Sequence, residues 1–135
     1  MKIEHIGIAV NNLEESLTLW TELLNLSVRG IEEIQERGVK LAHLEIEDGP
    51  SIELVTPFGE ESPLEKFLKE RGEGIHHFCF EVQDIEEAVK RLKEKGIQFV
   101  HDKPQKGAEG SLIAFIHPRH FNGVLIELKE KKTQT

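Results

Sequence analysis

Apolar and polar positions alternate over residues 3–10, with Ile6, Ile8 and Val10 on one side of the chain and His5, Gly7 and Ala9 on the other. That period of two is the signature of a strand buried on one face. The period then changes: Leu13, Leu17, Trp20 and Leu24 step by four, three and four, which puts them on one helical stripe with Trp20 in the core. Asn12, just ahead of the stripe, carries a side-chain oxygen that can accept a free backbone N–H at a helix start. The same strand-then-helix pattern returns at an offset of 72, where Ile3–Asn25 falls on Ile75–Ile97. His5 then matches His77, Val10 matches Val82, and Glu14, Glu15 and Glu22 match Glu86, Glu87 and Glu94. Ile6, Ile8, Leu13, Leu17 and Trp20 fall on Phe78, Phe80, Ile85, Val89 and Leu92, with Asp84 as the second cap and Gly96 as the stop of the second helix.

Further strand candidates follow each helix: Val39–Ile46 and Ser51–Val55 after the first, Gln98–His101, Ser111–Ile116 and Val124–Leu128 after the second. Asp48-Gly49-Pro50 and the Gly107–Gly110 segment supply turn chemistry. Between the halves, Leu64, Phe67 and Leu68 have helical spacing, and Ser62-Pro63 opens that short helix with proline in its first turn. The pattern predicts an α+β protein of two tandem βαβββ modules in a single domain: module 1 over about 1–57, a connector over 58–73, module 2 over about 74–129, and a polar tail, 130–135, that frays.

Composition narrows the function. A chain of 135 residues suits one domain, and 17 Lys+Arg against 25 Asp+Glu give a net charge of −8. Such a chain lacks the basic face a duplex nucleic acid requires. No run approaches the roughly 20 apolar residues that span a bilayer. The opening MKIEHIGIAV lacks the apolar core of a signal peptide, so the expectation is a cytoplasmic protein without a membrane partner. The single cysteine, Cys79, excludes an internal disulfide and a cysteine-based zinc site, and reads as a small buried filler.

Each half also ends on a strand with one glutamate inside an apolar run. Ile52 and Leu54 oppose Glu53, and Ile126 and Leu128 oppose Glu127. If the helices cover the apolar faces, His5, Glu53, His77 and Glu127 occupy the opposite faces, with Gly7, Ala9 and Cys79 leaving space beside the histidines. Were the halves related by a pseudo-twofold, two His–Glu pairs would converge on one metal-binding cleft. Two imidazoles and two carboxylates suit Co²⁺, Ni²⁺, Mn²⁺, Fe²⁺ or Zn²⁺. A duplicated structural pair would leave the same pattern, so the residues alone leave both readings open.

The paired histidines and glutamates within a repeat resemble the vicinal oxygen chelate (glyoxalase-like) superfamily. Within it the chain is similar to the methylmalonyl-CoA epimerases over about residues 3–128. The resemblance is carried by His5-Ile6-Gly7-Ile8-Ala9-Val10, Ile52-Glu53-Leu54-Val55-Thr56-Pro57, Gly74-Ile75-His76-His77-Phe78, the run from Gly110 to His117-Pro118, and Gly123-Val124-Leu125-Ile126-Glu127-Leu128. It implies a divalent ion, Co²⁺ foremost, on His5, Glu53, His77 and Glu127. His77 is preferred to His76 because the repeat pairs it with His5, which leaves His76 a structural role on the helix-covered side. Some family members carry glutamine at the Glu53 position.

The implied reaction is a 1,1-proton transfer at C2 of methylmalonyl-CoA, which interconverts its two epimers through an enolate. Glu127 is the first candidate to move a proton and Glu53 the second. Where some epimerases carry a glutamate just after a Gly-Val element, this chain has Leu41, which cannot move protons; His43, on the same strand face, is a further candidate. Lys103, Lys106 and Arg119 are cations that could meet coenzyme A phosphates, although surface cations usually serve solvation. A homodimer is also implied. The competing readings are lactoylglutathione lyase, which uses similar enolate chemistry, and a non-catalytic ligand-binding protein of the same fold. The Ile116-His117-Pro118 run favours the epimerase.

Overall fold

The computed structural model describes residues 1–131, so most of the expected tail, 132–135, lies outside the described residues. The chain forms two compact units: His5–His76, and a second built from His77 onward together with Met1–Glu4.

In the first unit the strands β1 (Lys2–Ala9), β2 (Ser27–Ile34), β3 (Val39–Glu45) and β4 (Ser51–Pro57) lie in the order β2-β3-β4-β1. β1 runs parallel to β4, while β2–β3 and β3–β4 are antiparallel. Helix α1 (Leu13–Thr18) starts where Asn12 accepts a hydrogen bond from the Glu15 N–H at 3.0 Å. Val10, Leu13, Ala42, Leu44 and Leu54 form the core, with Ile8, Leu17, Trp20 and Ile52 packed around it. The apolar face of the sheet is thus the one the helix covers. Each large aliphatic side chain so buried contributes about 1.5–3 kcal/mol.

Leu24 departs from the expected stripe. After α1 the chain continues as a π-helical turn, Leu19–Leu23, whose i→i+5 bonding takes in one residue more than an α turn. The phase slips, and Leu24 is 60% exposed instead of stacking below Trp20. The alternation also failed to announce β2. Its ladder with β3 shifts register between Val28 and Gly30, and the bulge breaks the period of two on a strand that is mostly exposed. A connecting helix, α2 (Pro63–Arg71), begins as expected, with the Ser62 hydroxyl accepting from the Leu64 N–H at 3.3 Å.

The second unit repeats the plan with β5 (Gly74–Val82), α3 (Ile85–Glu94), β6 (Gln105–Lys106), β7 (Leu112–Ile116) and β8 (Leu125–Glu130), its strands ordered β5-β8-β7-β6. Asp84 caps α3 through the Glu87 N–H at 3.2 Å. Ile85, Ala88, Val89, Phe99, Ala114, Ile116 and Leu128 form its core. Gln98–His101 is not a strand. It meets β7 only at the Phe99–Ile116 bridge and then bends away, and the edge beside β7 is taken by β6. β8 runs two residues past the expected Leu128. Lys129 is buried in it, with its ammonium 3.5 Å from Glu4 and 3.7 Å from Glu109, and Glu130, the first residue of the expected tail, belongs to the sheet. No helix among the described residues is long and apolar enough to cross a membrane.

Candidate metal centre

The face of each sheet turned away from its helix carries the candidate chemistry. In the first unit Gly7, Glu53 and His43 sit opposite one another on β1, β4 and β3. His5, two residues before Gly7, points to the same face. His5 Nε2 is 3.4 Å from Glu53 Oε2, and both residues are buried, at 3% and 5% exposure. On the far side of the carboxylate, His43 Nδ1 lies 3.8 Å from the same oxygen. His43 Nε2 is 3.5 Å from Glu32 Oε2, on β2, whose side chain is one-third exposed. Leu41 is fully enclosed two residues away on β3.

The second unit builds its counterpart from Cys79, Glu127 and Phe115, in register on β5, β8 and β7. His77 Nε2 approaches Glu127 Oε1 to 3.1 Å, with both residues buried. Phe115 stands edge-on to the His77 ring, with centroids 6.1 Å apart and planes at 87°. Cys79 is completely buried, as its reading as a filler required. His76, next in the chain to His77, packs edge-on against Phe67 of α2 at 4.8 Å, which gives it a structural role. Lys103, Lys106 and Arg119 are exposed.

A buried carboxylate is costly unless a positive charge or hydrogen-bond donors compensate it. Each unit holds a carboxyl oxygen beside an imidazole nitrogen, in a setting where a cation is welcome. In each unit taken by itself, one imidazole nitrogen and one carboxyl oxygen are donors of the kind a borderline or hard divalent ion takes, so the chemistry of the residues present fits such an ion. Strand alternation put His5 with Glu53 and His77 with Glu127, and the structure brings each of these pairs together. Alternation did not identify Glu32, because its place beside His43 depends on the register of the bulged strand β2.

Residues 4–115 match the sequence profile of the Glyoxalase/Bleomycin resistance protein/Dioxygenase superfamily. Over 131 residues the chain is 41% identical to the mitochondrial methylmalonyl-CoA epimerase of Dictyostelium discoideum, covering 96% of this chain and 78% of that one. Among solved structures it is similar to the methylmalonyl-CoA epimerase of Mycobacterium tuberculosis, with a TM-score of 0.93, 32% identity, and coverage of 98% of this chain and 89% of that one. A methylmalonyl-CoA epimerase in complex with methylmalonyl-CoA and NH4+ gives a TM-score of 0.92 at 33% identity, covering 98% of this chain and 95% of its own.

Proposed function

The chain belongs to the Glyoxalase/Bleomycin resistance protein/Dioxygenase superfamily and, within it, to the methylmalonyl-CoA epimerases, and we propose that it interconverts the two C2 epimers of methylmalonyl-CoA by a metal-assisted 1,1-proton transfer. The observation that carries the reading is the buried His–Glu pair held at equivalent strand positions in both halves of a chain that is similar to epimerases over nearly its whole length.

His5, Glu53, His77 and Glu127 are the residues proposed to hold the ion, with Co²⁺ as the first choice. When bound, it supplies positive charge beside the thioester and carboxylate oxygens of the substrate, which stabilises the enolate formed when C2 loses its proton. The protein's part is to remove a proton from one face of C2 and return one to the other. Glu127 is proposed for one transfer and Glu53 for the other, one carboxylate from each half. Leu41 leaves no acid at the alternative position on β3.

A coenzyme A thioester is too charged to cross a bilayer unaided, so the enzyme works where the thioester is made, which we take to be the cytoplasm. Assembly as a homodimer is part of the same reading, and sedimentation would check it. The decisive experiment is deuterium exchange at C2 of methylmalonyl-CoA in D₂O, run on chelator-stripped protein before and after Co²⁺ is added. Metal-dependent exchange with interconversion of the epimers is expected. If no divalent ion supports exchange, the epimerase reading fails, and lactoylglutathione lyase and then ligand binding are to be assayed.

A further inference from the structure

The two halves differ where their repeat should make them alike. The residue directly opposite Glu53 is His43; the residue directly opposite Glu127, 72 positions after His43, is Phe115. An apolar ring therefore satisfies the fold at this position, and in the second half it packs edge-on against the histidine of the pair. In the first half the same position holds a buried imidazole between two carboxylates, 3.8 Å from Glu53 and 3.5 Å from Glu32. Glu32, His43, Glu53 and His5 come one each from β2, β3, β4 and β1, and form a line of alternating acid and imidazole across the sheet. Gly30, the residue of β2 opposite His43, leaves open space there, which lets Glu32 reach His43 diagonally.

Burying an imidazole where phenylalanine would do has a price in desolvation, and His43 Nε2 is fully enclosed without a hydrogen bond. Packing alone does not account for that choice. We propose that His43 is a positioning residue: its Nδ1 edge fixes the Glu53 carboxylate between two imidazoles, and Glu32 fixes the ring from behind. The proposal rests on the reading of Glu53 as a residue of the metal site. It makes the first-half carboxylate the one whose orientation is set by a neighbouring side chain, whereas Glu127 faces an apolar ring in the same place.

Three variants test it. His43→Phe copies the second half. His43→Asn keeps a nitrogen at the bond distance of Nδ1 from the backbone, and His43→Gln keeps one at that of Nε2. The readouts are Co²⁺ affinity of the stripped protein by calorimetry, the visible spectrum of bound Co²⁺, and C2 exchange, with thermal melting of the metal-free variants as the check on folding. His43→Phe and His43→Gln should bind Co²⁺ about 10–100-fold more weakly, with an altered spectrum, while His43→Asn stays near wild type. Wild-type affinity, spectrum and exchange in His43→Phe would overturn the proposal. So would amide variants that bind Co²⁺ normally yet lose exchange, because His43 would then be moving the proton itself. If His43→Phe does not fold, the contrast between the two amides decides. Wild-type protein that holds Co²⁺ without exchanging C2 would remove the epimerase reading alone, since affinity and spectrum still report on Glu53.

Discussion

At the scale of single residues, the proposed function rests on carboxylates kept out of water beside imidazoles. His77 and Glu127 form the tighter pair, at 3.1 Å. His77→Ala removes a nitrogen donor and the imidazole 3.1 Å from Glu127, so the variant is expected to retain no metal after purification and to show no C2 exchange; metal analysis and the D₂O assay check both. Normal activity without this side chain would defeat the assignment of His77. Glu127 and Glu53 lie in the same relation to their histidines, yet their surroundings differ, with Phe115 beside one and His43 beside the other. Equivalence in a repeat therefore extends to the pair and stops at its neighbours.

At the scale of elements, turns hold the strands in the register that aims these side chains. Gly38, at φ +67°, carries the chain from β2 into β3, and a Cβ there would lie 2.7 Å from the Glu61 carbonyl oxygen. Gly38→Ala combines left-handed strain with that collision and is expected to lower stability by about 1–3 kcal/mol, measured by urea unfolding. Much of this scale was legible in the sequence, because caps and alternation are local. Asn12, Ser62 and Asp84 start their helices, and the period of two correctly put His5 and Glu53 on one face. What was not legible depended on contacts between distant segments. The bulge at Val28/Gly30 erased the periodicity of β2 and with it the place of Glu32. Gln98–His101 has the composition of a strand but makes only one bridge, and the burial of Lys129 near the end of β8 depends on Glu4 and Glu109, which are remote in sequence.

At the scale of the whole molecule, the duplicated plan gives each half its own core and its own His–Glu pair, on a chain of net charge −8. If the pairs hold a divalent ion as proposed, buried acids within an already acidic protein make the metal-free form the less stable one. Co²⁺ at 100 times its dissociation constant should add about 2.7 kcal/mol through linkage, seen as a melting temperature that rises with Co²⁺ and falls again on chelation. A melting curve indifferent to every divalent ion would argue that the pairs are structural. Changes of chain length should be felt just as unevenly. The π turn at Leu19–Leu23 already stores a surplus residue, so deleting Thr21 would tighten it towards an α turn and swing Leu24 inward, and the shortened enzyme is expected to fold and remain active. One residue removed from β4 would instead turn Glu53 to the opposite face and abolish activity. Drift in length should thus be absorbed by the helix of the first half and not by β4, and a library of single-codon deletions scored for turnover would draw that boundary.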